Sequence, residues 1–566
     1  MRDRQFKGFI ASAVKPGLGW FYSLILLIQI LPIPVILAQN PPEKYWIQFT
    51  DKDNTPYSLD NPDEYLSQRS IQRRLKYGIP VRVNDLPVNP SYIDSIASLG
   101  IKILNKSKWF NAITIELTDS SLLDSLLTFG FISGIQNVYH PLSKKSVKEK
   151  FTDIAESEIS GTGLHSYGFS DWQIMMVNGH ILHDLGYQGQ GMQIAVIDAG
   201  FAGMDILPAF SSLWENDQIL TIRDFVDGDE QVFDAHSHGM KVVSIMCGNI
   251  PFQLLGTAPK AGYLLLRSED TSSEFLIEED NWIAAAEYAD SFGVDLINTS
   301  LGYSKFDDPE QDHSYTDMDG NSTRISIGAD IAASKGILVV TSAGNQGNDP
   351  WQFITAPADA DSVLSVGAVD SLGYYAPFSS VGPTADGRVK PNIAAMGQGV
   401  AYQGTDGSIV TGNGTSFSAP IITGLSACLW QVNTSLNNIE LIRKIEESAD
   451  HYDSPDIFTG YGIPDFASAL SKMGIELPEE YYRINYIFPN PFSDEVEINL
   501  FSPVIQEIDI QFIDLTGRVV WYEKNRVIVP GSNRISLQQL GKIPGGLYIM
   551  KIITPDKILE EKLIKL

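Results

Sequence analysis

MQIAVIDA, residues 192–199, is an unbroken apolar run of strand length that contains a single acidic residue, Asp198, near its end. Continuous apolar strands that alternate with helices predict a parallel sheet covered by helices on both faces. Functional sites in such sheets lie beyond the carboxyl ends of the strands. Similar runs follow at GYLLLR (262–267), VDLINTS (294–300), ILVVTSA (337–343) and SVLSVGAV (362–369), separated by helical patterns such as EEDNWIAAAEYADSFG (278–293) and ISIGADIAASKG (325–336).

Four polar residues lie where these elements begin or end. Asp198 closes the first run, His238 precedes an apolar helical stretch in AHSHGMKVV, Asn345 follows a buried strand in SAGNQG, and Ser416 follows a glycine-rich turn in GTSFSAP. Each residue alone has an ordinary explanation as a cap or a turn. Together they supply what amide hydrolysis needs: a nucleophile (Ser416), a base (His238), a carboxylate that orients the base (Asp198) and oxyanion donors (Asn345 and the Ser416 N–H). His236 competes for the role of base but lacks the glycine that follows His238.

Six motif blocks carry a family resemblance. IAVIDAG, HGMKVV, GTAPKA (256–261), NTSLG (298–302), SAGNQG and GTSFSAP resemble the blocks of the subtilase (peptidase S8) family, and the chain order Asp, His, Ser is the one known for subtilisin. The resemblance implies a subtilisin-like three-layer fold. It also implies that Ser300, Leu301 and Gly302 line the S1 side of a cleft that binds an extended peptide, and Gly344 gives room for substrate. Two positions depart from the family pattern, Ala199 and Met240.

We expect the peptidase domain at residues 165–474. The regions on either side of it show different patterns of predicted secondary structure. Residues 39–145 are predicted to form strands and helices in the order strand, helix, helix, strand, strand, helix, strand, which indicates a small α+β domain. They resemble a subtilase propeptide, which acts as an intramolecular inhibitor. A Lys-rich and Gly/Ser-rich linker, 146–164, is predicted to be exposed and open to cleavage. Residues 484–566 contain short alternating strands, which predict an all-β sandwich.

The two ends of the chain point to export. Residues 1–38 begin with basic side chains and continue in an apolar run that ends at Ala38, the layout of a signal peptide, with an uncleaved membrane anchor as the alternative. The C-terminal sandwich, with YIFPNPFSDEVEI, DLTGRVV and GGLYIMKI, is similar to the sorting domains of type IX secretion cargo in Bacteroidetes. The resemblance implies contact with secretion machinery, passage through the periplasm and across the outer membrane, and a secreted or cell-surface protein. A surface-binding sandwich that stays attached is the alternative.

The charge balance and the cysteines limit partners and cofactors. Forty basic and 69 acidic residues give a net charge of −29, which disfavours nucleic acid as a partner. No cofactor is required and we assign no metal ligand; calcium binding in the acidic stretch DMDGN (317–321), near Asp307, Asp308 and Asp312, is conceivable but lacks the full EF-hand spacing. Cys247 and Cys428 lie in apolar helical stretches, so two buried free thiols are expected rather than a disulfide.

These observations predict a secreted serine endopeptidase that acts on polypeptides through an acyl-enzyme. The alternative is a non-catalytic surface protein that kept the fold for peptide binding; loss of a triad residue would favour it, and none is missing. An acyl hydrolase with another nucleophile is the third reading, and no G-x-S-x-G elbow accompanies the triad.

Overall fold

The computed structural model describes residues 42–141, 150, 157–158, 167–475, 477, 481–529 and 531–566. All of them belong to one compact unit, Pro42–Leu566. The predicted signal peptide and most of the predicted linker lie outside the described residues. Within those residues, none of the helices has both the length and the apolar character needed to span a bilayer.

The centre of the molecule is a seven-stranded sheet in which every neighbouring pair is parallel, as predicted. The two edge strands were not predicted. Ile219–Asp224 is partly exposed and Ile393–Met396 has only four residues, so neither gives a long apolar run. The order across the sheet is Ile393–Met396, Leu364–Val369, Leu338–Ser342, Leu296–Thr299, Gln193–Asp198, Gly262–Arg267, Ile219–Asp224.

Helices cover both faces of this sheet. In the strand Gln193–Asp198, Ile194 and Val196 pack into one apolar core, while Ala195 and Ile197 pack into another. Because side chains alternate along a strand, both faces of the sheet are buried. The first core includes the helices His238–Cys247 and Thr415–Val432, and the second includes Ile277–Phe292 and Arg324–Ser334. The other α-helices of this region are Asp171–Met175, His180–Asp184, Ser211–Glu215, Asn438–Glu447 and Phe466–Lys472. One small antiparallel sheet contains the strands Gln398–Gln403, Ile409–Asn413 and Ser157–Glu158. A second one pairs Asn249–Ile250 with Leu254–Leu255.

The N-terminal α+β domain has a four-stranded antiparallel sheet and three helices, in the predicted order along the chain. Helix Gln68–Tyr77 starts where Ser67 accepts a hydrogen bond from the Ser70 N–H, and ends at Gly78, whose φ of 66° is left-handed. The domain lies against helix Ile277–Phe292. The strands, in sheet order, are Lys102–Ser107, Ala112–Leu117, Glu43–Phe49 and Ile132–Tyr139, and the other helices are Pro90–Ala97 and Leu122–Leu126.

The C-terminal region is a sandwich of two antiparallel sheets around its own apolar core, which confirms the predicted class. Two of its strands were missed. Arg483–Phe488 is half-buried along most of its length, and Ile558–Lys565 is an edge strand with Glu560, Glu561 and Lys562 at its centre. One sheet contains Arg483–Phe488, Val496–Ser502 and Gly531–Leu537, and the other contains Val519–Ile528, Gln506–Asp514, Gly546–Ile553 and Ile558–Lys565.

Candidate active site

Asp198 and His238 form a buried hydrogen-bonded pair. Asp198 is the last residue of its strand and His238 is the first of its helix. His238 Nδ1 lies 2.7 Å from Asp198 Oδ1, and the two residues are 4% and 0% exposed. A Cβ on Gly239 would lie 2.9 Å from the Asp198 Cβ, so the glycine lets the helix begin this close to the strand. The pair fixes the imidazole, with Nε2 on the side of the ring away from Asp198.

Ser416 is the second residue of helix Thr415–Val432 and follows Gly414. Its hydroxyl donates to the Ser300 carbonyl over 3.3 Å, and the Ser300 hydroxyl donates to the Ser416 carbonyl over 2.9 Å. Ser416 and His238 line one cavity of about 430 Å³, and the rings of His238 and Phe417 are 6.4 Å apart. The predicted nucleophile and the predicted base therefore line the same cavity, beyond the carboxyl ends of the central strands.

The carboxamide of Asn345 has a fixed orientation. Asn345 Oδ1 accepts hydrogen bonds from the Thr415 N–H (2.8 Å) and the Thr415 hydroxyl (2.9 Å). The amide NH₂ therefore points away from Thr415, and Asn345 lines the cavity. The Ser416 N–H is among the first N–H groups of its helix, which have no intrahelical acceptor. Sequence reasoning missed Thr415, although its position directly before Ser416 was a usable signal.

The predicted substrate-binding residues line the same cavity. Ser300, Leu301 and Gly302 follow the strand Leu296–Thr299, and Gly344 also lines the cavity. Gly302 has no room for a side chain, because a Cβ there would lie 2.2 Å from Thr355 Oγ1. Gly344 has a left-handed φ of 108°. These glycines keep this part of the cavity open for a peptide backbone.

The remaining sequence candidates have other roles. His236 Nδ1 accepts a hydrogen bond from the His238 N–H (3.1 Å), so it supports the backbone at the start of the helix. Met240 is fully buried, and the Ala199 N–H donates to Asp198 Oδ1 over 2.7 Å. In the acidic stretch 317–321, Asp317 accepts hydrogen bonds within its own loop. Cys247 and Cys428 are free and buried, as expected.

Three glutamates form a second charged feature of the cavity, which sequence reasoning missed. Glu269, Glu274 and Glu278 are the one set of potential metal ligands that come together among the described residues, and Lys150 is paired with all three. Burial raises the pKa of Glu274 to about 7. Burial alone would lower the pKa of Lys150, but the glutamates hold it well above its usual value. The Lys150 side chain is 13% exposed, so the expectation of an exposed linker is wrong at this residue.

A buried Asp–His pair beside a cavity that a serine near a helix start also lines, at the carboxyl edge of a parallel sheet, is the arrangement expected of serine hydrolases. Residues 189–463 match the Subtilase family, residues 44–153 match the Peptidase S8 propeptide domain of Bacteroidota, and residues 486–566 match the Secretion system C-terminal sorting domain. The chain therefore contains a serine peptidase domain of the subtilase family, with a propeptide domain before it and a secretion sorting domain after it.

Known proteins resemble the chain at moderate identity. Subtilisin NAT of Bacillus subtilis subsp. natto is 27% identical over 336 residues, which cover 58% of this chain and 79% of that protein. The thermophilic serine proteinase of Bacillus sp. (strain AK1) is 29% identical over 277 residues, which cover 48% and 60%. The solved structure of MycP1 from Mycobacterium smegmatis is 23% identical and covers 58% of this chain and 94% of that one, with a TM-score of 0.42. The two sequence relatives agree with the match to the subtilase family.

Proposed function

We propose that this protein is a secreted endopeptidase that hydrolyses peptide bonds through an acyl-enzyme, with Asp198, His238 and Ser416 as its catalytic triad. The observation that carries the proposal is the 2.7 Å contact between buried Asp198 and His238 Nδ1, at a cavity that Ser416 also lines. A carboxylate at Nδ1 holds the imidazole in the tautomer whose Nε2 can accept a proton, and stabilises the imidazolium that then forms.

The steps follow from these positions. Ser416 Oγ attacks the scissile carbonyl carbon while His238 takes the hydroxyl proton, and the carbonyl oxygen becomes an oxyanion. The Asn345 NH₂ and the Ser416 N–H donate to this oxyanion. The tetrahedral intermediate collapses, the C–N bond breaks, and His238 gives its proton to the leaving amine. Water then attacks the acyl-enzyme by the same route and frees Ser416.

The substrate is a polypeptide held in extended form along Ser300, Leu301 and Gly302, with Gly344 on the other side. In this proposal the propeptide domain inhibits the peptidase from within the chain until it is removed. The sorting domain directs export by type IX secretion across the outer membrane. The boundaries 39–145, 146–164, 165–474 and 484–566, and the signal peptide 1–38, remain predictions.

Replacement of the nucleophile tests the proposal. Ser416→Ala is expected to lower kcat on an unfolded protein substrate by about 10⁶-fold. The matched control is Ser418→Ala, two residues along the same helix, where the hydroxyl donates to the Thr415 carbonyl. A phosphonofluoridate should modify Ser416 in the secreted, processed protein. Undiminished hydrolysis by the Ser416→Ala variant would refute the triad, and a folded but unreactive protein would favour a peptide-binding role without catalysis.

A further inference from the structure

The Lys150 ammonium sits among three carboxylates that we call the glutamate pocket: Glu269, Glu274 and Glu278. Its Nζ lies 2.5 Å from Glu269 Oε2, 3.0 Å from Glu274 Oε2 and 2.7 Å from Glu278 Oε2. All three distances are within the range of an ion pair. The ring of Tyr303 lies 6.0 Å from the same nitrogen, within the range of a cation–π contact.

The pocket is held in place by its own domain, independently of Lys150. Glu269 and Glu278 are fully buried, and the Tyr303 hydroxyl donates to Glu269. Glu278 Oε1 accepts the Asp270 N–H over 3.0 Å and Glu278 Oε2 accepts the Phe275 N–H over 3.3 Å. The carboxylates of Glu269 and Glu278 are therefore positioned by contacts within the peptidase match.

The pocket opens into the cavity of the candidate active site. Glu269, Glu274 and Lys150 line the cavity together with Ser300 and Ser416. The glutamates belong to the region that matches the peptidase family (189–463), whereas Lys150 belongs to the region that matches the propeptide family (44–153). On the proposed function, cleavage of the chain after Lys150 removes the cation together with the propeptide match, and the carboxylates stay in the peptidase match.

Removal of Lys150 leaves three carboxylates side by side, two of them fully buried, without their counter-ion. Buried like charges without a counter-ion are costly, so the pocket favours any cation that a bound peptide offers. We propose that the glutamate pocket is a specificity subsite that selects a basic side chain in the substrate, and that Lys150 occupies it as the propeptide's own side chain. This inference rests on the proposed function. Cleavage of the chain after Lys150 places this residue on the acyl side of the scissile bond, so the selected substrate residue lies on the acyl side as well.

The test compares matched peptides on the secreted, processed protein. Each pair of internally quenched peptides is identical except that one position on the acyl side carries Lys or Met, and this position is moved one residue at a time. At one position kcat/KM for the Lys peptide should exceed that for the Met peptide by about 10- to 100-fold, as hydrogen bonds between charged groups allow. Active-site titration with the phosphonofluoridate normalises every rate.

Variants assign this preference to the pocket. Glu274→Gln and, separately, Glu269→Gln should each reduce the Lys-over-Met ratio by about tenfold or more, since each removes one of the three carboxylates that can pair with the substrate ammonium. Substitution of Glu274 is less apt to destabilise the fold, because the Glu274 side chain is 21% exposed whereas the Glu269 side chain is buried. The control is Glu310→Gln on the exposed surface, which should keep the ratio. Glu274→Lys should shift the preference toward a peptide with Glu at that position.

The outcomes separate the two proposals. A protein that cleaves no peptide and takes no label at Ser416 contradicts the proposed function. A labelled protein that cleaves the Lys and Met peptides at equal rates overturns the subsite and leaves the endopeptidase intact. Activity that EDTA abolishes and calcium restores, without a preference for Lys, would make the pocket a cation site and would also overturn the subsite.

Discussion

Asp290 should control how firmly the propeptide domain is held. This fully buried carboxylate accepts hydrogen bonds from Arg73 Nη2 (2.6 Å), Arg74 Nη2 (2.9 Å) and Lys108 Nζ (3.0 Å). The three cations come from the propeptide match, and Asp290 from the peptidase match. Burial alone would raise the pKa of Asp290, but the cations hold it well below its usual value. Asp290 is therefore charged throughout the range in which the protein would work.

The size of the effect of Asp290→Asn follows from what remains buried. Loss of one partner of a buried ion pair costs about 3–5 kcal/mol. Asp85 also pairs with Arg74 at 2.8 Å and compensates one of the three cations, so we expect the lower half of that range. A loss of about 3–4 kcal/mol corresponds to a 10²- to 10³-fold change in the equilibrium constant for docking of the propeptide domain on the peptidase domain. Asp295→Asn is the matched control, because its partner Arg69 is 38% exposed and such a pair contributes about 0.2–1 kcal/mol.

The assay uses the full chain with Ser416→Ala, so that self-cleavage does not remove the propeptide. Hydrogen exchange followed by mass spectrometry should show faster exchange in helix Gln68–Tyr77 of the Asp290→Asn variant, with little change in the sheet strand Gln193–Asp198. The Asp295→Asn variant should exchange nearly as the parent does. Equal effects of the two substitutions, or none from Asp290→Asn, would refute the argument that the buried carboxylate dominates this interface.

Two further predictions concern the oxyanion donor and a histidine away from the cavity. Asn345→Ala should lower kcat by about 10²- to 10³-fold. Thr415→Val removes one of the two hydrogen bonds that orient Asn345 and should lower kcat by about 2- to 10-fold. Similar losses from both substitutions would contradict the orienting role of Thr415. Burial alone would lower the pKa of His313, but the 2.6 Å hydrogen bond to Glu279 outweighs burial, so the pKa lies above 6.5 in the folded protein. The pair therefore stabilises the folded state fully below pH 6.5, and this stabilisation is lost as pH rises through the raised pKa. The melting temperature of His313→Gln should thus fall below that of the parent at about pH 5.5 and approach it at about pH 9, and a deficit independent of pH would contradict this pairing.

Sequence reasoning worked where one segment carries the whole signal. The strand that ends at Asp198 is buried on both faces, so its apolar run is continuous and its carboxyl end marks the site. His238 and Ser416 each begin a helix after a short polar stretch, so local sequence locates them as well. The glutamate pocket gave no such signal, because Glu269, Glu274 and Glu278 are ordinary acidic residues until the fold brings them to Lys150.

The two charge networks between propeptide and peptidase have different consequences for release. Asp290 does not line the cavity, so a substrate cannot compete with the cations bound there, whereas a basic side chain of a substrate can compete with Lys150 for the glutamate pocket. On the proposals above, substrate alone therefore displaces only the Lys150 side chain and leaves the domain docked through Asp290. Both networks are buried and thus only weakly screened by salt. Removal of the propeptide then depends on cleavage of the propeptide domain itself, or on its unfolding, more than on dissociation of an intact domain.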